Sequence, residues 1–186
     1  MNYPSTMRTR MGGRLAVLAT FCILLGLAAV VRPEADNEMD RRADHQAAQA
    51  SCNQIAEAIG RFNMDVEQLP TGFRGRSSYG WLHGPGVTPS FRERPDGLAG
   101  QLAWFLQENY MAGDAWAGPY LKKLIPDPWG HQYMILAESL WQAPIESSVA
   151  RVWVLSAGEN GIVETAPSDR QLRGDDIGVN LPLSGS

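Results

Sequence analysis

The side chains that could do chemistry in this chain do not converge on a catalytic pattern. His45, His83 and His131 stand far apart in the sequence, and neither Cys22 nor Cys52 has the neighbours of a nucleophilic thiol. The sequence contains no Gly-x-Ser-x-Gly motif, no phosphate-binding glycine loop and no zinc-ligand spacing. We therefore predict that the protein is not an enzyme and has no catalytic residues.

The composition is that of one modest domain plus an anchoring segment. Of the 186 residues, 44% are hydrophobic and 19% are charged, and the formal net charge is −4. Because the basic residues are scattered, we predict that nucleic acid is not a partner. Cys22 falls in an apolar run, so we interpret both cysteines as small apolar residues and predict no disulfide between them.

A proline-rich pentapeptide predicts a rigid turn in the second half of the chain. Its residues are Pro126, Asp127, Pro128, Trp129 and Gly130. Proline fixes φ and lacks an N–H, whereas glycine tolerates positive φ, so the segment fits neither a helix interior nor a central strand. We predict a structural turn that aims the following strand, with Trp129 packed beneath it.

The N-terminal part carries an uncharged run of 17 residues, Leu15–Val31, with three arginines shortly before it. Its length fits a short membrane-spanning helix and also the apolar region of a secretory signal. Because Arg32 and Pro33 stand where signal cleavage would occur, we predict a retained anchor. The basic flank predicts a cytoplasmic N-terminus. The predicted parts are therefore a basic cytoplasmic leader at 1–13, a transmembrane helix at 14–32 and an extracytoplasmic domain at 33–186.

After Pro33, apolar residues recur every three or four positions, which is the spacing of one helical face. These residues are Ala48, Cys52, Ile55, Ile59, Phe62 and Val66. The pattern predicts a helical rod with a membrane half, a break near Pro33 and a second half packed on the domain. A coiled coil is the alternative, but the stripe covers fewer than about four heptads.

The rest of the chain predicts a loop, a second helix and a sheet. Residues 73–95 lack periodicity and are rich in glycine and proline, so we predict an irregular loop. We expect Asp96 to cap a helix that continues to about residue 109, and we expect the C-terminal tail to be loop. Strands are predicted at 133–138, 150–156 and 162–164. Short sequential strands favour an antiparallel sheet, and the predicted class is α+β.

Four short motifs follow one another in the second half of the chain. They are GPYLKK at 118–123, PDPWG at 126–130, LSAGENG at 155–161 and DDI at 175–177. In order and spacing they resemble the G-type major pseudopilin of type II secretion systems. The resemblance extends from about residue 46 to residue 177 and is strongest over 119–130.

This resemblance implies a pilin-like fold, in which a long N-terminal helix lies half in the membrane and half against a small antiparallel sheet. It implies a structural subunit that polymerises into a periplasmic pseudopilus of a type II secretion or related envelope machine. The implied partners are other pseudopilin subunits, in a homo- or hetero-oligomer, and inner-membrane secretion components. The implied location is the inner membrane, with a single pass and residues 33–186 in the periplasm.

The resemblance also implies a calcium ion in the loop after the strand that ends near Ser156. Backbone carbonyls and acidic side chains would bind it, because calcium takes about six to eight hard oxygen ligands. The residues carried over are Leu155, Ser156, Glu159, Asn160, Asp175 and Asp176. Asn160 stands where the family has aspartate, so it offers an amide oxygen without charge. A solvated acidic loop without an ion is the alternative.

The N-terminus departs from the family pattern. The family leader ends in glycine, followed by an aromatic residue or methionine and then Thr-Leu-Ile-Glu, whereas here Gly13 precedes Arg14 and Leu18 replaces the glutamate. The resemblance therefore implies a divergent member with a candidate leader cleavage site between Gly13 and Arg14. The alternative is an unprocessed, membrane-anchored module of the pilin fold that binds a partner and does not polymerise.

Trp81 is a candidate partner contact. It follows Gly80 and precedes a stretch rich in glycine and proline, which is a context typical of exposed loops. Burial of Trp81 in the core is the alternative.

Overall fold

The computed structural model describes residues 13–67, 79–94, 98–110, 112–136, 152–166 and 168–181. Side chains are described from residue 37 in the first helix and from residue 81 in the first strand. The chain divides into two compact units, Met1–Arg42 and Ala43–Ser186. The second unit contains the sheet and its core, and it positions all the candidate site residues except Gly13 and Arg14.

Two α-helices, one 3-10 helix and seven strands form the described chain. The helices are α1 (Gly13–Val66), α2 (Ala103–Leu106) and the 3-10 helix Gly113–Ala115. The strands are β1 (Tyr79–His83), β2 (Ser90–Phe91), β3 (Leu98–Gln101), β4 (Met134–Leu136), β5 (Val152–Ser156), β6 (Ile162–Val163) and β7 (Ile177–Leu181).

The main sheet is mixed. Its strand order is β3-β1-β4-β5-β7, and β2 pairs with β6 in a separate parallel ribbon. The β1–β4, β4–β5 and β5–β7 pairs are antiparallel, but β1 and β3 are parallel. The predicted α+β, pilin-like class is confirmed, while the expectation of a purely antiparallel sheet is wrong. Residues 84–97 supply the crossover of a dozen or more residues that a parallel pair requires.

Helix α1 runs from Gly13 to Val66 without interruption, so the predicted break near Pro33 is wrong. A proline removes one backbone donor, and the helix hydrogen bonds on either side of it continue here. Among the residues that the structure describes, no helix is both long and apolar enough to cross a membrane. The side chains of Leu15–Val31 lie outside the described residues, so the transmembrane helix stays a prediction.

The apolar stripe of α1 is buried as predicted except at Val66, which is only partly buried. Ala48, Cys52, Ile55, Ile59 and Phe62 are at most 2% exposed. Cys52, Ile55, Ile59 and Phe62 pack on one face of the sheet in a cluster that includes Leu82, Ile135, Val152 and Val154. Alternate residues of the same strands, including Trp81, Met134, Trp153 and Leu155, form a second cluster on the other face. The sheet therefore has two apolar faces, which follow from the alternation of side chains along a strand.

Three predictions about the elements are wrong. The expected loop at 73–95 contains β1 and β2, and the expected loop after Gly161 contains β7. The expected second helix is the strand β3 followed by the short α2, because Leu98–Gln101 pairs with β1. Only Phe105 and Leu106 of its apolar residues are buried within a helix. Asp96 lies outside the described residues.

Candidate functional site

The carboxylate of Asp127 holds the turn at residues 127–130. Its Oδ1 accepts hydrogen bonds from the N–H of Trp129 at 3.1 Å and of His131 at 2.7 Å. The N–H of Gly130 donates to the carbonyl oxygen of Asp127 at 2.9 Å, and Gly130 has φ 89°. Pro128 thus occupies the position of a β-turn that proline favours. The half-buried Trp129 ring contacts His45 of α1, with 5.4 Å between ring centroids.

The same carboxylate joins the turn to the end of β5. Oγ of Ser156 donates to Oδ2 of Asp127 at 2.6 Å, and it accepts a hydrogen bond from the N–H of Gly158 at 3.2 Å. The side chain of Asp127 is 0% exposed. Nδ1 of His131 lies 3.8 Å from Oδ2 of Asp127. The hydroxyl of Ser156 donates its hydrogen bond to a carboxylate and not to an imidazole. Ser156, Asp127 and His131 therefore form a structural hydrogen-bond network and do not have the geometry of an activated nucleophile.

Two titratable groups lie where α1 meets the sheet. Burial raises the pKa of the Cys52 thiol to about 12, and the charge of Asp127 raises it further. Burial also raises the pKa of Tyr133 to about 12. The Cys52 thiol donates to the carbonyl oxygen of Ile177 at 3.6 Å. Both groups are therefore neutral in the folded protein at physiological pH.

We expect the free energy of unfolding to fall as pH rises from about 9 to about 12. In the unfolded chain Cys52 and Tyr133 ionise with pKa values of 9.0 and 10.0, below their folded values of about 12. The stability that they contribute is complete below the unfolded values and is lost as pH approaches the folded ones. Between urea unfolding at pH 8 and at pH 11, the loss should be about 3 kcal/mol from Cys52 and about 1 kcal/mol from Tyr133. The double variant Cys52→Ala/Tyr133→Phe should flatten this dependence, and an unchanged slope would contradict the assignment.

The residues carried over for calcium occupy both ends of the loop between β5 and β7. Leu155 and Ser156 end β5 and are buried, whereas Glu159 and Asn160 are exposed in the turn that follows. Asp175 and Asp176 directly precede β7. The structure brings the two ends together, since Oδ2 of Asp175 accepts a hydrogen bond from the N–H of Asn160 at 2.9 Å.

Asp175 and Asp176 each offer one carboxylate oxygen that could bind a hard cation. Oδ1 of Asp175 and Oδ1 of Asp176 are buried, and neither has a hydrogen-bond partner among the described residues. Burial raises the pKa of Asp176, and the charge of Glu164 raises it further. A cation would supply the missing partner and offset the cost of burying these charges.

The other carried-over side chains are already engaged. Oδ1 of Asn160 accepts a hydrogen bond from the N–H of Ile162 at 2.6 Å, and Oγ of Ser156 binds Asp127. Within the described residues, no three His, Cys, Asp or Glu side chains are grouped so that they could hold a metal ion. An ion here would depend on Asp175, Asp176 and backbone carbonyls.

Gly158 packs too closely on Asp175 to accept a side chain. Its φ is 62°, and an added Cβ would overlap the carbonyl oxygen of Asp175. We expect Gly158→Ala to lower the free energy of unfolding by about 2–4 kcal/mol. Gly113 is a matched control, because its φ is 60° and its Cβ would meet no atom within 4 Å. Gly113→Ala should cost only the backbone strain of about 1 kcal/mol, and equal losses in urea unfolding would refute the predicted clash.

The other predicted site residues have separate outcomes. Trp81 is only 5% exposed and packs against Phe91 at 5.4 Å between centroids, as the core alternative expects. Its exposure therefore does not support a partner contact. Gly13 is the first residue of α1, and the side chain of Arg14 lies outside the described residues. Cleavage between Gly13 and Arg14 stays a prediction.

Sequence reasoning missed the bidentate ion pair of Asp169 with Arg173. The available signal was a pair of opposite charges four residues apart. That spacing predicts an ion pair only in a helix, and this segment was predicted to be a loop. It also missed the contact of Arg61 with the carbonyl oxygen of Tyr120 at 2.6 Å, which ties α1 to the segment before the turn.

A long N-terminal helix with one apolar face packed on a small sheet defines a pilin-like α+β protein. Residues 95–173 match the family model described as "Type II secretion system (T2SS), protein G". This segment, somewhat less than half of the chain, is therefore similar to the G-type pseudopilins of type II secretion. No curated protein and no solved structure gives a significant match.

The matched region includes α2, the turn at 127–130 and strands β3 to β6, and it ends just before Asp175. Pseudopilins are structural proteins that assemble with other components of an envelope-associated secretion machine.

Proposed function

We propose that this protein is a structural subunit that polymerises, through its N-terminal helix, into a periplasmic pseudopilus of a type II secretion or related machine. The observation that carries the proposal is the family match over residues 95–173. The buried stripe of α1 and the locked turn of that region support it, because they make the globular unit rigid. Rigid units that repeat one heterologous contact form helical polymers.

In this proposal Leu15–Val31 anchors the subunit in the inner membrane before assembly, with residues 33–186 in the periplasm. The partners are other copies or other pseudopilins, together with inner-membrane components. The role is not enzymatic. A cut between Gly13 and Arg14 would free the N-terminus for assembly.

The intact mass of the full chain, purified from membranes of its native host, tests the processing step. A mass lacking Met1 to Gly13 is expected. Cysteine pairs introduced across neighbouring copies should then give ladders of crosslinked oligomers when the secretion machine is present. A full-length mass with only monomers would favour the unpolymerised anchored module, which the replacement of the family glutamate by Leu18 already favours.

We propose in addition that calcium binds at Asp175 and Asp176, whose buried Oδ1 atoms support this assignment. Added calcium should raise the melting temperature Tm of the full chain in detergent, with EGTA reversing the change. Asp176→Asn should abolish most of the shift, whereas Asp114→Asn, at an exposed acid in the 3-10 helix, should leave it unchanged. The same shift in Asp176→Asn as in the parent protein would exclude this site.

A further inference from the structure

The loop between β5 and β7 contains an ion pair that we call the clasp, formed by Asp169 and Arg173. Nε and Nη2 of Arg173 donate to Oδ2 and Oδ1 of Asp169, each at 2.6 Å. The side chain of Asp169 is 14% exposed and that of Arg173 is 58% exposed. Exposed ion pairs contribute little on average, but a bidentate pair with one largely buried partner has the favourable geometry.

The clasp is also bonded to the backbone around it. Oδ2 of Asp169 accepts a hydrogen bond from the N–H of Ala166 at 2.9 Å, and the N–H of Arg173 donates to Oγ1 of Thr165 at 2.9 Å. The indole N–H of Trp153 in β5 donates to the carbonyl oxygen of Asp169 at 3.3 Å. The hydrogen bonds from Arg173 hold the pKa of the Asp169 carboxyl below its usual range, so the carboxyl is ionised at neutral pH. The clasp therefore joins residues 165–173 to one another and to the sheet.

Protein atoms also fix both flanks of the clasp. Oδ2 of Asp176 accepts hydrogen bonds from the N–H groups of Glu164 at 2.9 Å and Thr165 at 2.6 Å. On the β6 side, the N–H groups of Ser90 and Arg92 donate to the carbonyl oxygens of Gly161 and Val163 at 2.9 Å. The loop is thus connected at each end without using Oδ1 of Asp175 or Oδ1 of Asp176.

We propose that the Asp169–Arg173 clasp, and not a bound cation, fixes the fold of the loop between β5 and β7. This inference deepens the proposed calcium site, because it leaves the ion only an added stabilisation. The loop keeps its fold when calcium is removed, and it opens when the clasp is broken.

Limited trypsin digestion of the full chain in detergent tests the clasp, because Arg170 is an exposed cleavage site inside the loop. The rate of cleavage after Arg170 is measured by mass spectrometry in calcium and in excess EGTA. For the parent protein, the cleavage rate in calcium and the rate in EGTA should differ by less than about twofold. Arg173→Gln should raise the cleavage rate in EGTA about tenfold over that of the parent protein. Asp169→Asn should act in the same way.

Arg42→Gln is the matched control, because Arg42 forms an ion pair with Glu38 at the same spacing of four residues on α1. It should leave cleavage after Arg170 unchanged. The proposal would be overturned if the parent protein in EGTA were cleaved after Arg170 as fast as Arg173→Gln. It would also be overturned if the Asp169 and Arg173 variants were cleaved at the parent rate. A parent protein without a calcium-dependent Tm shift, but with the tenfold effect of Arg173→Gln, would support the clasp and exclude the calcium site.

Discussion

Replacing Asp127 by alanine is expected to lower the free energy of unfolding by about 3–5 kcal/mol. The carboxylate is 0% exposed and accepts hydrogen bonds from Trp129, His131 and Ser156. Alanine would leave two backbone N–H groups and a buried hydroxyl without their acceptor, each at a cost of about 1–3 kcal/mol. Urea unfolding, followed by tryptophan fluorescence, measures the loss directly.

Two further variants separate the network from general effects of removing a charge. Asp127→Asn keeps an acceptor for the backbone N–H groups, so we expect a smaller loss of about 1–2 kcal/mol. Asp114→Ala removes an exposed aspartate from the 3-10 helix and should change stability by less than about 0.5 kcal/mol. If Asp127→Ala behaved like Asp114→Ala, the turn would not depend on this carboxylate.

Replacing Phe62 by alanine is the other change with a large expected effect, about 3–5 kcal/mol. Phe62 is 1% exposed, and its ring meets Phe105 and Tyr120 edge to face, with centroids 6.1 Å and 5.6 Å apart. The substitution removes apolar burial and both aromatic contacts, and it leaves a cavity between α1 and the sheet.

Met64→Ala is the matched control for Phe62→Ala, because Met64 lies two residues away on α1 and is 80% exposed. Its free energy of unfolding should lie within about 0.5 kcal/mol of that of the parent protein. A similar loss in both variants would mean that substitutions in this part of α1 act on the helix itself and not on its packing. Thermal unfolding by circular dichroism at 222 nm gives an independent measurement of both.

The apolar stripe of α1 was predictable because its period of three or four residues is the period of the helix face that the sheet covers. Strands β4 and β5 were predictable for a similar reason, since their β-branched and aromatic residues favour extended backbone. Both cases depend only on neighbours in sequence.

The missed elements depend on distant neighbours. The segment Leu98–Gln101 has apolar spacing that suits a helix, and pairing with β1 overrides it. In β7 a glycine and an asparagine weaken the local strand signal, but five pairings with β5 define the strand. The glycines before and after Trp81 predict an exposed loop, whereas its ring packs in the second apolar cluster against Phe91 of β2.

The candidate site was also predictable in part: its residues were, but the long-range hydrogen bonds between them were not. The resemblance assigned Asp175, Asp176 and Asn160 to one calcium site, and in the structure Asp175 accepts a hydrogen bond from the backbone N–H of Asn160. The bond from Ser156 to Asp127 joins residues that are 29 positions apart, so no local pattern could reveal it. The rigidity of the turn was predictable, but its attachment to the loop after β5 was not.

The pairing of α1 with the last strand affects the order in which the chain can complete its fold. The side chains of Gln49 and Cys52 donate to the carbonyl oxygens of Gly178 and Ile177, across 129 and 125 positions of sequence. These contacts cannot form until β7 has emerged from the ribosome. Contacts of such long range also close slowly. The segment of α1 around residues 49–52 therefore lacks part of its cover until residues 177–181 have been synthesised and have folded onto it.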